Sequence, residues 1–493
     1  MKLGKHIFKV GGWTAVSRIL GFVRDVLIAN VLGAGRLSDI FLAAFKLPNL
    51  FRDLLGEGAL SAVFVPMFAQ QRKGDENAAG RFANNFFSWL MAVLLGITII
   101  GLIAMPIIIW ILAPGFADDP GKMQMTVEIG RWLFLYLIFI CGSAFLGSIL
   151  NAFSEFALVA SMPVLFNLFS IGALVLAMRL NAETGTLYIL SAAVVLSGVV
   201  QMSVLWGRLR ARKFGLRLMR PKWNGQIRTA FRRLGVGLVG SGFYQLNIII
   251  GTMVASFQAG AVTWLFYSDR MVQLPFAIIG LAAGTVLLTS ISNALAEKNM
   301  TRVYVQQNAA MRQSLMLTLP CMAGLIALAK PIMQFLFEHG AWTHESTLAV
   351  AAAIMIQALV LPVMTTSQIY SKTLYAAQDV KTPVRTSVIG LIVSSGLYLG
   401  LFAFIGYLAI PVGIVVGGYV KNLLLLRECR KRDLFRILPG TKRAVAGFAV
   451  LSAVLAVGIW FVPIDNIFKL FAAIGMYGIL YLPCAWIINK SSK

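Results

Sequence analysis

Charged side chains are scarce along this sequence, and where they interrupt its apolar stretches they gather. Arg18, Arg24 and Asp25 lie in the first stretch, Asp39, Lys46, Arg52, Asp53 and Glu57 in the second, and Asp269 and Arg270 in the eighth. A guanidinium binds phosphate or carboxylate through two parallel hydrogen bonds. Arginines converging from three segments therefore suit an anion with several oxygens, whereas a site for cationic molecules wants carboxylates and aromatic rings. Each charge at the centre of a bilayer costs about 2.5–3.5 kcal/mol, so such a group cannot face lipid. It either forms structural ion pairs that set helix packing or lines a wet cavity.

Other chemistries find little support. His6, His339 and His344 form no HxxxH or HExxH pattern, and Cys141, Cys321, Cys429 and Cys484 form no CxxC pair, so neither a metal site nor a cofactor is expected. The formal net charge is +24, but no separate basic domain exists to bind nucleic acid. The charge is accounted for by basic loops between membrane helices.

The elements that position these residues are membrane helices. The chain has 493 residues, 59% hydrophobic and only 13% charged, against about 25% charged for a soluble domain. It reads as an all-α polytopic membrane protein with about fourteen spans of roughly twenty or more residues. Among them are 8–33, 39–70, 126–152, 234–257, 346–375, 383–404 and 407–426. The second span is expected to bend where Gly56 and Gly58 flank Glu57. At 1.5 Å per residue Arg18 lies about 15 Å and Arg24 about 24 Å into the first helix, and Arg52 about 20 Å from the outer end of the second. Arg24 has no partner at the usual helical spacing of four.

The segments 208–233 and 427–443 are dense in Lys and Arg, whereas 114–125 carries Asp118, Asp119 and a single lysine, Lys122. The positive-inside rule then places both termini in the cytoplasm. No small-residue cleavage site follows Lys2, Lys5 and Lys9, so Met1 is expected to start the mature chain. Leu47-Pro48 and Leu274-Pro275 are 227 residues apart, and Leu150–Glu155 resembles Leu374–Asp379 at a spacing of 224. Two matches at nearly one offset predict two six-helix lobes in the same orientation. The expected layout is an N-terminal lobe over 1–207, a basic linker over 208–233, a second lobe over 234–426, a basic loop over 427–443, and two additional helices over 444–493.

Several motifs carry a family resemblance. Ser17-Arg18-Ile19-Leu20-Gly21-Phe22-Val23-Arg24-Asp25 resembles the first-helix signature of the MurJ (MviN) lipid II flippases of the MOP transporter superfamily. So do Phe45-Lys46-Leu47-Pro48-Asn49-Leu50 with Glu57-Gly58-Ala59, Ala113-Pro114-Gly115-Phe116, Tyr267-Ser268-Asp269-Arg270, and Gln378-Asp379-Val380-Lys381-Thr382-Pro383. The resemblance implies a bacterial inner-membrane flippase for the lipid-linked peptidoglycan precursor, with two lobes around a cationic cavity. It implies that the 444–493 helices form a groove for the polyprenyl tail. Arg18, Arg24, Arg52 and Arg270 match the family's required arginines, expected here to bind the substrate. Asp25, Asp39 and Glu57, with Asp269, are expected in gating or coupling. The expected partners are lipid II and membrane lipids.

One departure bears on energy. Some relatives bind sodium through acids on the seventh and eleventh helices, and here 234–257 and 383–404 contain none, so membrane potential is the expected drive. Proton coupling through Asp25 or Glu57 stays open. The rivals are a polysaccharide-unit flippase or multidrug exporter of the same superfamily, a membrane-embedded glycosyltransferase or phosphatase, and a non-transporting scaffold. The short outer loops poor in acids and histidines argue against the enzyme, and the arginines at membrane depth argue against the scaffold.

Overall fold

The computed structural model describes residues 2–53, 59–74 and 76–491, and every regular element among them is helical. Contacts divide the chain into two units, Met1–Ala259 and Gly260–Lys493. The first holds α1 (Lys2–Leu32), α2 (Arg36–Phe51), α3 (Ala59–Gly74), α4 (Glu76–Leu112), α5 (Pro120–Phe134), α6 (Tyr136–Ala152), α7 (Phe156–Leu180), α8 (Gly185–Ala211) and α9 (Gly225–Ala255). The second holds α10 (Ala261–Ala296), α11 (Met300–Phe337), α12 (His344–Gln357), α13 (Leu361–Ala376), α14 (Lys381–Ile405), α15 (Ala409–Lys431), α16 (Pro439–Trp460) and α17 (Ile467–Ser491). Among the described residues, nine segments are long and apolar enough to cross a membrane by length and composition. The charged helices α1 and α2 fall outside that set.

Several expected spans are subdivided. The expected 39–70 span is α2 and α3, with a widened turn at Arg52-Asp53 after α2, while Glu57 and its flanking glycines lie outside the described residues. The expected 126–152 span breaks at Leu135, and 346–375 breaks at Ala358–Val360. These breaks again stand about 224 residues apart. Pro362, in the first turn of α13, explains the second, because it supplies no N–H to a continuing helix. The expected split near Gly406 falls where Gly406 takes φ 57°, a conformation that only glycine adopts freely.

The boundary of the second lobe also differs from the expected 234. Helix α9 begins at Gly225, where the Asn224 side chain accepts the Ile227 amide at 2.9 Å, and it packs on α3 and α4 within the first unit. The non-helical part of the basic linker lies along α4. The amides of Arg217 and Lys222 donate to Asn84 and Asn85, and that of Met219 to Ser88, at 2.8–2.9 Å. The second unit repeats the device: Asn308, 224 residues after Asn84, donates to the Arg436 carbonyl at 2.7 Å and accepts from the Leu438 amide at 3.0 Å.

The repeat recurs where α6 and α13 end. Ser154 and Gln378 both take positive φ, 63° and 60°. Each is followed by an acid that holds an arginine: Glu155 bonds Arg208 at 2.7 Å, and Asp379 bonds Arg432 at 2.6 Å. Burial alone would raise the Asp379 carboxyl, but the Thr382 hydroxyl and amide and the Arg432 guanidinium outweigh it and hold it at about 2.

Lipid is as apolar as the helices, so packing and not water exclusion joins them. In the first unit phenylalanines interlock, with Phe64 and Phe145 at 4.7 Å and Phe86 and Phe145 at 5.4 Å between ring centres. In the second, α14 and α15 approach through small residues. A Cβ on Gly417 would lie 2.0 Å from Ser394 Oγ and 2.6 Å from the Gly390 carbonyl oxygen. Helix α16 packs on α11, and α17 packs on both.

Two predictions follow from this packing. Gly417→Ala forces α14 from α15 and should lower stability by about 1–3 kcal/mol, whereas Gly458→Ala, with no atom within 4 Å of the new Cβ, should be near neutral. Thermal unfolding of the two proteins in detergent compares them, and equal midpoints would refute the close approach. The Asp379 contribution to stability is present above the carboxyl's unfolded value of 3.8 and is lost as pH falls toward about 2. Asp379→Asn should therefore flatten the acid-stability curve between those values, read by unfolding against pH.

Candidate functional site

Arg24 is the most enclosed of the expected arginines, 9% exposed, on the face of α1 that packs against α7. Its Nη2 pairs with Asp25 Oδ1 at 2.6 Å and its Nε reaches the same oxygen at 3.1 Å. Nη1 donates to Asn167 Oδ1 of α7 at 3.1 Å, and the guanidinium lies 5.0 Å from the centre of the Phe166 ring. Asn167 in turn donates from Nδ2 to the Ser17 carbonyl of α1 at 2.8 Å. The absence of a partner at spacing four is thus made good by the adjacent residue. The two Cβ atoms diverge around the helix, but the long arginine stem bends back to the neighbouring carboxylate. Asp25, 1% exposed, is buried under the arginine.

Helix α2 continues the site. Phe45 stacks on Phe166 at 5.8 Å, next to the Arg24 guanidinium. Its neighbour Lys46 donates to Thr252 of α9. In the turn after α2, Arg52 Nη2 pairs with Asp53 at 3.0 Å, and Gln245 of α9 donates to the other Asp53 oxygen at 3.4 Å. Arg18 is exposed, and no ion pair to it is present among the described residues. Glu57 lies outside the described residues.

Asp39 takes a lysine as its ion-pair partner. It sits at the start of α2, fully buried, and pairs with Lys122 Nζ at 2.8 Å. That lysine, 7% exposed and 3.9 Å from the centre of the Phe116 ring, comes from the segment expected to be a simple outer loop. One turn away Arg36 bonds Asp119 at 2.5 Å, and Asp119 caps α5 by accepting the Lys122 amide at 3.0 Å. Ala113-Pro114-Gly115-Phe116 forms the short 3-10 turn that seats Phe116. The Gly115 amide donates to Ser256 Oγ at 2.9 Å, and a Cβ on Gly115 would lie 2.5 Å from the Phe257 backbone. The start of α2, the start of α5 and the end of α9 are joined there.

In the second unit Asp269 accepts from Gln357, the last residue of α12, whose Oε1 takes the Ser268 hydroxyl at 2.7 Å. Arg270 lies 5.7 Å from the Phe266 ring. Tyr267 is fully buried, 5.0 Å from Phe337 and 4.9 Å from Trp342 between ring centres. Sequence reasoning missed Asn167, Lys122, Gln245, Thr252 and Gln357. A lone asparagine in an apolar span and a lone lysine after two aspartates were the only signals, and neither names its partner. Among the described residues no group of three or more His, Cys, Asp or Glu could hold a metal ion.

Removing one member of a buried pair leaves an uncompensated charge, at a cost of about 3–5 kcal/mol. Arg24→Ala should therefore lower the thermal midpoint markedly, and Arg24→Ala with Asp25→Ala should recover most of the loss. Additive effects in this cycle would show that the pair is not coupled.

The chain as a whole is similar to known proteins. The sequence model of the family described as "Lipid II flippase MurJ" matches residues 28–477. A probable lipid II flippase MurJ of Rhizobium tropici is 34% identical over 458 residues, covering 92% of this chain and 86% of the relative. A lipid II flippase MurJ of Burkholderia cenocepacia is 29% identical over 511 residues, covering 99% and 98%. Among solved structures, "Lipid II flippase MurJ, inward closed conformation" aligns with a TM-score of 0.81 at 22% identity, covering 98% of this chain and 99% of that one. An inward-facing multidrug resistance MATE transporter of the MOP superfamily aligns at 0.69 with 15% identity over 85% and 94%, a likeness of fold. The chain belongs to the MurJ family of lipid II flippases.

Proposed function

We propose that this protein carries lipid II across the bacterial inner membrane from the cytoplasmic to the periplasmic leaflet by alternating access, with no covalent chemistry. The family match across residues 28–477 carries the reading. The chemistry of the charged residues agrees with it. Arg24 is held in place by Asp25 and Asn167, and Arg52 by Asp53. A cation held this way presents its remaining N–H groups to a pyrophosphate with little reorganisation. Arg18 and Arg270 are each assigned to substrate binding, and Asp25, Glu57 and Asp269 to coupling. The buried Asp39–Lys122 pair is assigned to gating at the periplasmic end. Both termini are assigned to the cytoplasm by the basic loops.

The polyprenyl tail gains nothing by entering a polar cavity and stays in lipid. Helices α16 and α17 are proposed to guide it. The α17 side chains Phe468, Ile479 and Trp486 are 81%, 74% and 59% exposed and apolar. Both helices share a core with α11 through Phe448 and Tyr481, so a deletion of 444–493 would also damage the fold. Substitutions on the exposed α17 face are the cleaner probe of the tail.

Flipping of labelled lipid II by the purified protein in liposomes tests the function, and an inert wild-type protein would overturn it. The same assay with Arg24→Ala/Asp25→Ala should give a folded protein that does not flip. The drive is read by imposing potential, pH gradient and sodium gradient one at a time. A negative interior favours outward movement of the headgroup, by up to about 4.6 kcal/mol per 100 mV for two uncompensated charges. Flipping should follow the potential. A rate that tracks sodium alone would reject this coupling.

A further inference from the structure

We propose that the first unit binds the phosphodiester headgroup of an anionic phospholipid in a pocket between the ends of α3 and α6, apart from the arginines of α1 and α2. A cavity of ≈ 310 Å³ is lined there by Phe68, Ala69 and Arg72 of α3 and by Ala152 of α6. That volume is at the lower end of the range of about 300–1,000 Å³ for small-molecule sites. The Arg72 guanidinium lies 4.5 Å from the centre of the Phe153 ring, and the Arg212 guanidinium lies 5.9 Å from the same ring. Two cations therefore approach one aromatic ring. Phe214, partly exposed, lies 5.7 Å from Phe153 between ring centres, and the fully buried Phe68 backs both at 6.2 Å and 5.8 Å.

The charges at this pocket are not balanced from within. Glu155 is shared between Arg208 and Arg212, and among the described residues Arg72 pairs with no carboxylate. An exposed arginine over an aromatic ring keeps N–H groups for a bidentate phosphate contact. The adjoining phenylalanines suit the glycerol and upper acyl chain of a lipid better than a free ion. The internal repeat supplies a contrast. The second unit keeps the left-handed turn and the acid–arginine pair at the 224-residue offset, but puts Ala377 where the first has Phe153. The aromatic platform is thus not required by the shared turn. Basic pockets between helices on the cytoplasmic side of a membrane take acidic headgroups. The assignment to that leaflet rests on the orientation proposed above.

The test uses the full chain, purified and delipidated in neutral detergent, with bound lipid counted by native mass spectrometry. Wild-type protein should retain one phosphatidylglycerol in preference to phosphatidylcholine. Arg72→Gln should lower that retention about fivefold, the factor expected for losing one arginine contact to an acidic headgroup. Phe153→Leu should lower it too. Arg220→Gln, an exposed residue of the basic linker, should leave it unchanged. Arg72→Lys keeps the charge without the fork and should fall between, which keeps the test open should Arg72→Gln fold poorly. Equal retention by wild type and both Arg72 variants would overturn the proposal. So would equal retention of phosphatidylcholine, or displacement of the lipid by millimolar inorganic phosphate, which would mark a plain anion site. Retention in detergent is independent of leaflet and of transport, so flipping measured in parallel separates failure here from failure of the proposed function.

Discussion

A charge set among apolar helices must find its counter-charge within reach of its own side chain, and the first unit is organised around two such pairs. Arg24 takes Asp25 from the adjacent position and donates one N–H of Nη1 to Asn167. Asn167 links α1 to α7 by two hydrogen bonds, since it also donates to the Ser17 carbonyl. Asp39 takes Lys122 from α5, and the pair is closed off by Phe116. Breaking a buried pair is far more costly than lacking it, so each pair constrains where its helices can pack. An arginine neutralised by its own neighbour is held without being consumed. Its outer edge keeps the N–H groups that these bonds leave unused.

The two halves of the chain solve the same local problems with the same devices. A left-handed residue ends α6 at Ser154 and α13 at Gln378, and the following acid captures an arginine 53 residues on in both cases. An asparagine near the start of α4 and of α11 takes up the backbone of a connector that would otherwise have unsatisfied groups. The expected spans 126–152 and 346–375 both break within their length. Such features are costly to lose one at a time, and each fixes a helix end. The halves diverge where chemistry is specialised: Arg24, Asp25 and Lys122 belong to the first, and Asp269 with Gln357 to the second.

Much of this was legible in the residues themselves. The all-helical membrane class follows from composition, because a chain that is 59% hydrophobic cannot hide its apolar surface from water in any soluble fold of this length. The likeness of Leu150–Glu155 to Leu374–Asp379 marked an internal repeat, and in the structure both segments carry the same left-handed residue after a helix. The clusters of charge named Arg24, Asp25, Asp39 and Asp269 because their types contradict their surroundings. Local identity, periodicity and contradiction are properties of the chain order.

Partners were not. Lys122 is 83 residues from Asp39, Asn167 is 143 from Arg24, and Gln357 is 88 from Asp269. Nothing in the spacing of either member selects the other, since the choice depends on which helices touch and at what rotation. Tertiary packing likewise decided that α9 joins the first unit and that α14 and α15 approach at Gly390 and Gly417. Among apolar helices in lipid the burial gained is nearly the same for many arrangements, so shape and the few buried polar groups decide among them. The sequence by itself determined the solvent, the repeat and the residues that had to be neutralised; only the tertiary structure decided which side chains neutralise them.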